Sequence, residues 1–64
     1  MEILLRIIDE LSKDYGDNIP ETLVIDLARK EEVVNPEEKL RFLARHLLII
    51  YTSPTTFKKT FPSV

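Results

Sequence analysis

The chain has 64 residues and a mass of 7.5 kDa, so it is one small domain at most. It contains no cysteine and one histidine, which excludes disulfides and leaves too few ligands for a structural zinc site. Its stability must therefore come from a hydrophobic core, from oligomerisation or from a larger partner. Hydrophobic residues at 44% and charged residues at 31% are typical of a folded soluble domain.

The sequence indicates neither membrane insertion nor secretion. Its longest apolar run, residues 47–51, is far shorter than the roughly 18 residues that a membrane-spanning helix needs. Met1 is followed by an acid, whereas a signal peptide begins with basic residues. We therefore expect a cytoplasmic protein without membrane contact. The sequence also lacks Gln and Trp, a depletion that hints at a thermophilic source.

The charges are divided between two segments. All eleven acidic residues lie in residues 1–38 with four basic residues, which gives that segment a net charge of −7. Residues 39–64 contain five basic residues and no acid, a net charge of +5. In so small a fold the two segments can neutralise each other, but such asymmetry also marks a binding face.

Two amphipathic helices are predicted in the first half of the chain. Residues 2–15 place their apolar side chains on one face, and Gly16 stands where a left-handed residue ends a helix. Pro20 then opens a second helix, which we expect to continue to Lys30 or Glu32.

The third helix has the best start signal in the chain, since Asn35 can cap it and Pro36 suits its first position. We expect it to run from Pro36 to about Thr52. The last twelve residues have no sustained period and are expected to form an irregular tail. The sequence thus predicts an all-α fold, a small three-helix bundle in residues 1–52 with a C-terminal tail in residues 53–64.

The back of the third helix is the candidate contact surface. It carries an aromatic, a basic, an imidazole and an aliphatic side chain at helical spacing, away from the expected core face. Two phenylalanines of the tail could extend this surface or cover it from within the chain. We predict a partner-binding site made of Phe42, Arg45, His46, Ile49, Phe57 and Phe61. A homodimer through this surface is left open.

A nucleic-acid-binding surface is the alternative interpretation, because a basic third helix of a three-helix domain can read the major groove. Its residues would be Lys39, Arg41, Arg45, Lys58 and Lys59. However, Glu37 stands four residues before Arg41 and could use its charge, and the net charge of −2 repels phosphate. The segment joining helices two and three also lacks the glycine common in helix-turn-helix turns.

The chain offers little for catalysis or for cofactors. His46 is the single imidazole, and one glycine cannot form a phosphate-binding loop. The acids near the end of the first helix do not have the spacing of a calcium loop. We therefore expect a non-enzymatic accessory subunit or adaptor without metal or cofactor, docking on a larger protein through helix three and the tail. A nucleic-acid-processing complex is its candidate assembly, with mostly indirect contact to nucleic acid.

Overall fold

The computed structural model describes residues 1–62 and contains three helices and a three-stranded antiparallel sheet. The helices are α1 (Glu2–Tyr15), α2 (Glu21–Lys30) and α3 (Pro36–Arg45). The strands are β1 (Ile19–Pro20), β2 (Ile49–Tyr51) and β3 (Thr56–Lys59). Within residues 1–62, no helix has the length and apolar character needed to cross a membrane.

The predicted all-α three-helix bundle with an irregular tail is wrong, because the protein is a mixed α/β fold. Helix α1 occupies the residues predicted for it, but α3 ends at Arg45 instead of continuing to about Thr52. The residues that follow form a β-hairpin, and the strand order is β1-β3-β2. The predicted tail therefore supplies the central strand of the sheet.

A left-handed residue ends α3. Leu47 has φ +59° and its N–H donates to the Ala44 carbonyl at 3.1 Å, while the Leu48 N–H donates to the Leu43 carbonyl at 2.9 Å. This pair of bonds is a Schellman motif, with leucine at the position that usually holds glycine. The β-branched and aromatic residues that follow favour an extended chain.

The connection between α2 and α3 is built in the same way. Glu32 has φ +61°, and its N–H donates to the Arg29 carbonyl at 3.0 Å. The Val33 N–H donates to the Ala28 carbonyl at 2.9 Å, which completes a second Schellman motif. Asn35 has φ +50° and places Pro36 at the first position of α3. The chain therefore turns between the two helices without glycine.

Phe57 lies at the centre of the sheet. It is opposite Ile19 of β1 on one side and opposite Tyr51 of β2 on the other. Directly opposite residues of an antiparallel pair point to the same face, so these three side chains share the core-facing side of the sheet. The neighbouring pair, Ile50 and Lys58, therefore lies on the outer face.

The core draws side chains from every helix and strand. Phe57 is its largest fully buried residue, and Phe61 joins it from beyond β3. The buried hydrophobic residues are Leu4, Ile8, Ile19, Val24, Ala28, Leu40, Leu43, Ile49, Phe57 and Phe61. The final strand therefore completes a core that begins in α1.

Candidate nucleic-acid interface

Helix α3 turns one face to the core and the other to solvent. Pro36, Leu40 and Leu43 are buried. Five exposed residues begin at Glu38, and the other four follow it by three, four, seven and eight positions. This spacing places all five in one continuous stripe along the helix. We call this the α3 stripe, and it consists of Glu38, Arg41, Phe42, Arg45 and His46.

An aromatic pair forms the apolar part of the α3 stripe. The ring centroids of Phe42 and His46 are 4.3 Å apart with an interplanar angle of 45°. Phe42 is 45% exposed even with this neighbour. The His46 imidazole packs beside the Phe42 ring, so an exposed aromatic surface lies next to the basic residues of the stripe.

The two arginines of the stripe supply its positive charge. Among residues 1–62, no salt bridge includes Arg41 or Arg45. The carboxylate expected to neutralise Arg41 is engaged elsewhere, since Glu37 pairs with Arg29 of α2. Both arginines are therefore exposed on one face of α3, and Arg41 does not form the predicted pair with Glu37.

The three predicted lysines lie apart from this pair of arginines. The Lys39 ammonium donates to the Val34 carbonyl in the turn before α3. Lys59 forms an ion pair with Asp9 of α1, and Lys58 lies on the outer face of the sheet. Of the five basic residues predicted to bind nucleic acid, the structure brings only Arg41 and Arg45 together on α3.

The six residues predicted to contact a partner fall into two groups. Phe42, Arg45 and His46 are exposed together on the α3 stripe. The other three are core residues, with 1% exposure for Ile49, none for Phe57 and 8% for Phe61. They differ from the expected placement because α3 ends early, which redirects the following residues into the hairpin. Their side chains are therefore not presented to a partner.

Tyr51, the last residue of β2, is a residue that sequence reasoning missed. Burial raises the pKa of its hydroxyl to about 12, with further contributions from the charge of Glu21 and from a hydrogen bond to that carboxylate. The positive charge of Arg41 lowers the same pKa. The β-branched character of residues 49 and 50 was the one signal that could have placed Tyr51 in a strand.

Leu47 is the second residue that the sequence did not single out. It is 69% exposed and left-handed, so both its burial and its backbone are unusual for leucine. It immediately follows the residue that caps α3. An exposed apolar side chain therefore lies just beyond the end of the helix.

A shallow cleft opens beside the first half of the stripe. Its volume is about 280 Å³, and it is lined by Met1, Asn35, Glu38, Lys39 and Phe42. The carboxylate of Glu38 and the ring of Phe42 therefore border the same space. No group of acidic or histidine side chains within residues 1–62 is arranged to hold a metal ion.

Comparisons with protein-family models, with curated proteins and with solved structures found no match to this chain. The class of fold follows from the order of its elements. Helices α2 and α3, joined by a tight turn, are followed by the β2–β3 hairpin, and β1 pairs with β3 to complete the sheet. The protein is therefore a mixed α/β domain in which a pair of helices joined by a tight turn precedes a β-hairpin.

Proposed function

We propose that this protein binds duplex DNA, with α3 in the major groove and the β2–β3 hairpin beside the sugar–phosphate backbone. The order of the elements is similar to that of a winged helix-turn-helix, with the hairpin as the wing, but topology supports the proposal only by analogy, since one fold serves many functions. The observation that carries the proposal is the α3 stripe, where Arg41, Phe42 and Arg45 are exposed together on one side of the helix. The second helix of a helix-turn-helix is the one that enters the major groove.

The turn before α3 removes an objection to this function. Absence of glycine between the helices counted against a helix-turn-helix. The left-handed conformation is instead adopted by Glu32 and Asn35, which allows the chain to turn without it. Asparagine tolerates the left-handed conformation better than most residues do, whereas glutamate adopts it at a cost in free energy.

The chemistry of the stripe suits the edges of base pairs. Arginine donates two hydrogen bonds to guanine O6 and N7, and an apolar side chain such as phenylalanine contacts the methyl group of thymine. The hairpin offers the exposed Thr55 hydroxyl for a phosphate oxygen, whereas the hydroxyls of Thr52 and Ser53 are hydrogen-bonded to Thr56 Oγ1. Base contacts from α3 and backbone contacts from the hairpin together would fix the orientation of the domain.

The divided charge of the chain supports one orientation on DNA. Nine of the eleven acids precede α3, whereas α3 and everything after it contain all five residues of the basic segment. Phosphates therefore repel α1 and α2 and attract the end that holds Arg41 and Arg45. The overall charge of −2 keeps long-range attraction weak, so we expect modest affinity for a single copy.

Fluorescence anisotropy with a labelled duplex tests the proposal. Binding should weaken as salt rises, with a log–log slope of about 0.9 per phosphate contacted. A labelled single strand of the same sequence should bind less well, because α3 requires a groove. Affinity that does not change with salt, or equal affinity for the single strand, would contradict major-groove binding.

Docking on a larger protein is the second candidate, and the exposed apolar side chains at the end of α3 favour it. Phe42 and Leu47 are 45% and 69% exposed, and exposed apolar side chains of this kind can anchor a contact with another protein. The test is purification of the tagged protein after nuclease and high-salt washes. A stoichiometric protein partner that Phe42→Glu releases, with the melting temperature unchanged, would support an accessory subunit.

A further inference from the structure

Glu38 is an acid on a surface that would face DNA, and this requires an explanation. The other acid of α3, Glu37, pairs with Arg29 and points its charge toward α2. Glu38 instead lies on the α3 stripe, exposed, and no salt bridge within residues 1–62 includes it. Beside phosphates an unpaired carboxylate opposes binding. It favours binding only where a base offers it a hydrogen-bond donor.

The donors of the major groove are few. Cytosine presents its N4 amino group and adenine its N6 amino group, whereas guanine and thymine present only acceptors to a carboxylate. Adenine also presents the N7 acceptor beside its amino group, which repels an anion. Cytosine has the apolar C5 position beside its amino group instead. A carboxylate accompanied by an apolar side chain therefore matches cytosine best.

The structure provides that apolar side chain next to the carboxylate. Phe42 follows Glu38 by four residues, so the two side chains are neighbours on one face of α3. Both line the cleft of about 280 Å³ beside the helix. The ring centroids of His46 and Phe42 are 4.3 Å apart, so the apolar neighbour of Glu38 is one member of an aromatic pair.

We infer that Glu38 and Phe42 together select a cytosine in the duplex that α3 contacts, an inference that rests on the proposed DNA binding. The Glu38 carboxylate accepts a hydrogen bond from N4, and the Phe42 ring lies against C5. The carboxylate lowers the affinity for duplexes that carry any other base at that position, so duplexes with cytosine bind selectively. Glu38 is thus a specificity-determining residue of the same site.

Selection from a randomised duplex library, followed by anisotropy on the selected sequence, tests the inference. The selected duplexes should share a cytosine at one position. Its replacement by thymine should weaken binding about fivefold or more, because O4 repels the carboxylate. Replacement by 5-methylcytosine should keep or improve affinity, since the methyl group adds contact with Phe42. Weakening by 5-methylcytosine equal to that by thymine would overturn the role of Phe42.

Two variants and a control distinguish Glu38 from a general charge effect. Glu38→Ala should bind all duplexes more evenly and lose the cytosine preference, and Glu38→Gln should accept adenine as well, because its amide both donates and accepts. Asp14→Asn is the control: it removes one negative charge near the C-terminal end of α1 and should keep the preference for cytosine. If Glu38→Ala keeps the preference for cytosine, the inference about Glu38 is wrong and the proposed duplex binding is unaffected. If the unaltered protein binds no duplex, both the inference and the proposed function are wrong.

Discussion

Lys59, the last residue of β3, forms an ion pair with Asp9 in the middle of α1. Both side chains are largely removed from solvent, at 14% and 7% exposure. The Lys59 ammonium also lies 5.2 Å from the centroid of the Phe61 ring. A charged contact within the core thus ties the C-terminal part of the chain to the first helix, and it uses a lysine that the sequence assigned to nucleic acid.

Removal of one partner of this pair should be costly. Lys59→Met leaves the Asp9 carboxylate buried without that cation, and loss of one member of a buried pair costs about 3–5 kcal/mol. The free energy of unfolding, measured in urea, should therefore fall by much of the total stability of so small a domain. Lys58→Met, on the outer face of the same strand, is the matched control and should change it by less than about 0.5 kcal/mol.

The two phenylalanines predicted to act together should behave differently when truncated. Phe57 is fully buried and central in the sheet, so Phe57→Ala should cost about 3–5 kcal/mol and unfold much of the protein. Phe42 is 45% exposed, and Phe42→Ala should change the unfolding free energy by less than about 1 kcal/mol. Thermal melts followed by circular dichroism provide the comparison. Equal losses would show that Phe42 belongs to the core.

The bounds of α1 could be predicted from the sequence, but the three-stranded sheet could not. The pattern of α1 is local, since its apolar spacing and Gly16 lie within one segment. The run from Leu47 to Tyr51 continues the helical period of Leu40 and Leu43, so periodicity alone extends α3 through it. What ends α3 is the left-handed leucine, and leucine carries no signal for that conformation.

The strands also depend on contacts between distant residues. β1 consists of two residues and exists because Ile19 pairs with Phe57, far along the chain. No periodicity can appear in so short a strand. For the site, Phe42, Arg45 and His46 were predicted together and lie together, because Phe42 and Arg45 belong to α3 and His46 caps it. Ile49 lies past the end of the helix and was misplaced for that reason.

Glu32 offers a test of the turn between α2 and α3. A residue with a Cβ atom costs about 1–2 kcal/mol in the left-handed conformation, and Glu32 has φ +61°. Glu32→Gly should therefore raise the free energy of unfolding by about 0.5–1 kcal/mol, less than the full strain because glycine gains freedom in the unfolded chain. Lys30→Gly, at the last residue of α2, should lower it by up to about 1 kcal/mol in the same urea titration.

Tyr51 makes a prediction for alkaline pH. Its pKa in the folded protein is about 12, above the ordinary value of 10.0, so the unfolded chain loses this proton more readily. The stabilising contribution is complete below pH 10 and is lost as pH rises toward 12. Tyr51→Phe should abolish that part of the pH dependence of stability.

The same tyrosine reports on Glu21 and Arg41. Absorbance titration in a Tyr15→Phe background follows Tyr51 alone, since the chain has two tyrosines. Glu21→Gln should lower its pKa and Arg41→Ala should raise it further, in line with the sign of each neighbouring charge. If Arg41→Ala leaves the titration unchanged, the guanidinium does not lie near the hairpin.

Arginine replacements on α3 separate a specific interface from a diffuse electrostatic one. The double variant Arg41→Ala/Arg45→Ala should weaken duplex binding strongly and, where each arginine contacts a phosphate, reduce the salt slope by about two. Its melting temperature should change little, because neither arginine has a salt bridge within residues 1–62 to lose. Arg6→Ala/Lys13→Ala removes the same number of charges from α1 and should leave affinity nearly unchanged. Equal loss in both double variants would mean that DNA responds to the total charge of the protein and that α3 is not the face it binds.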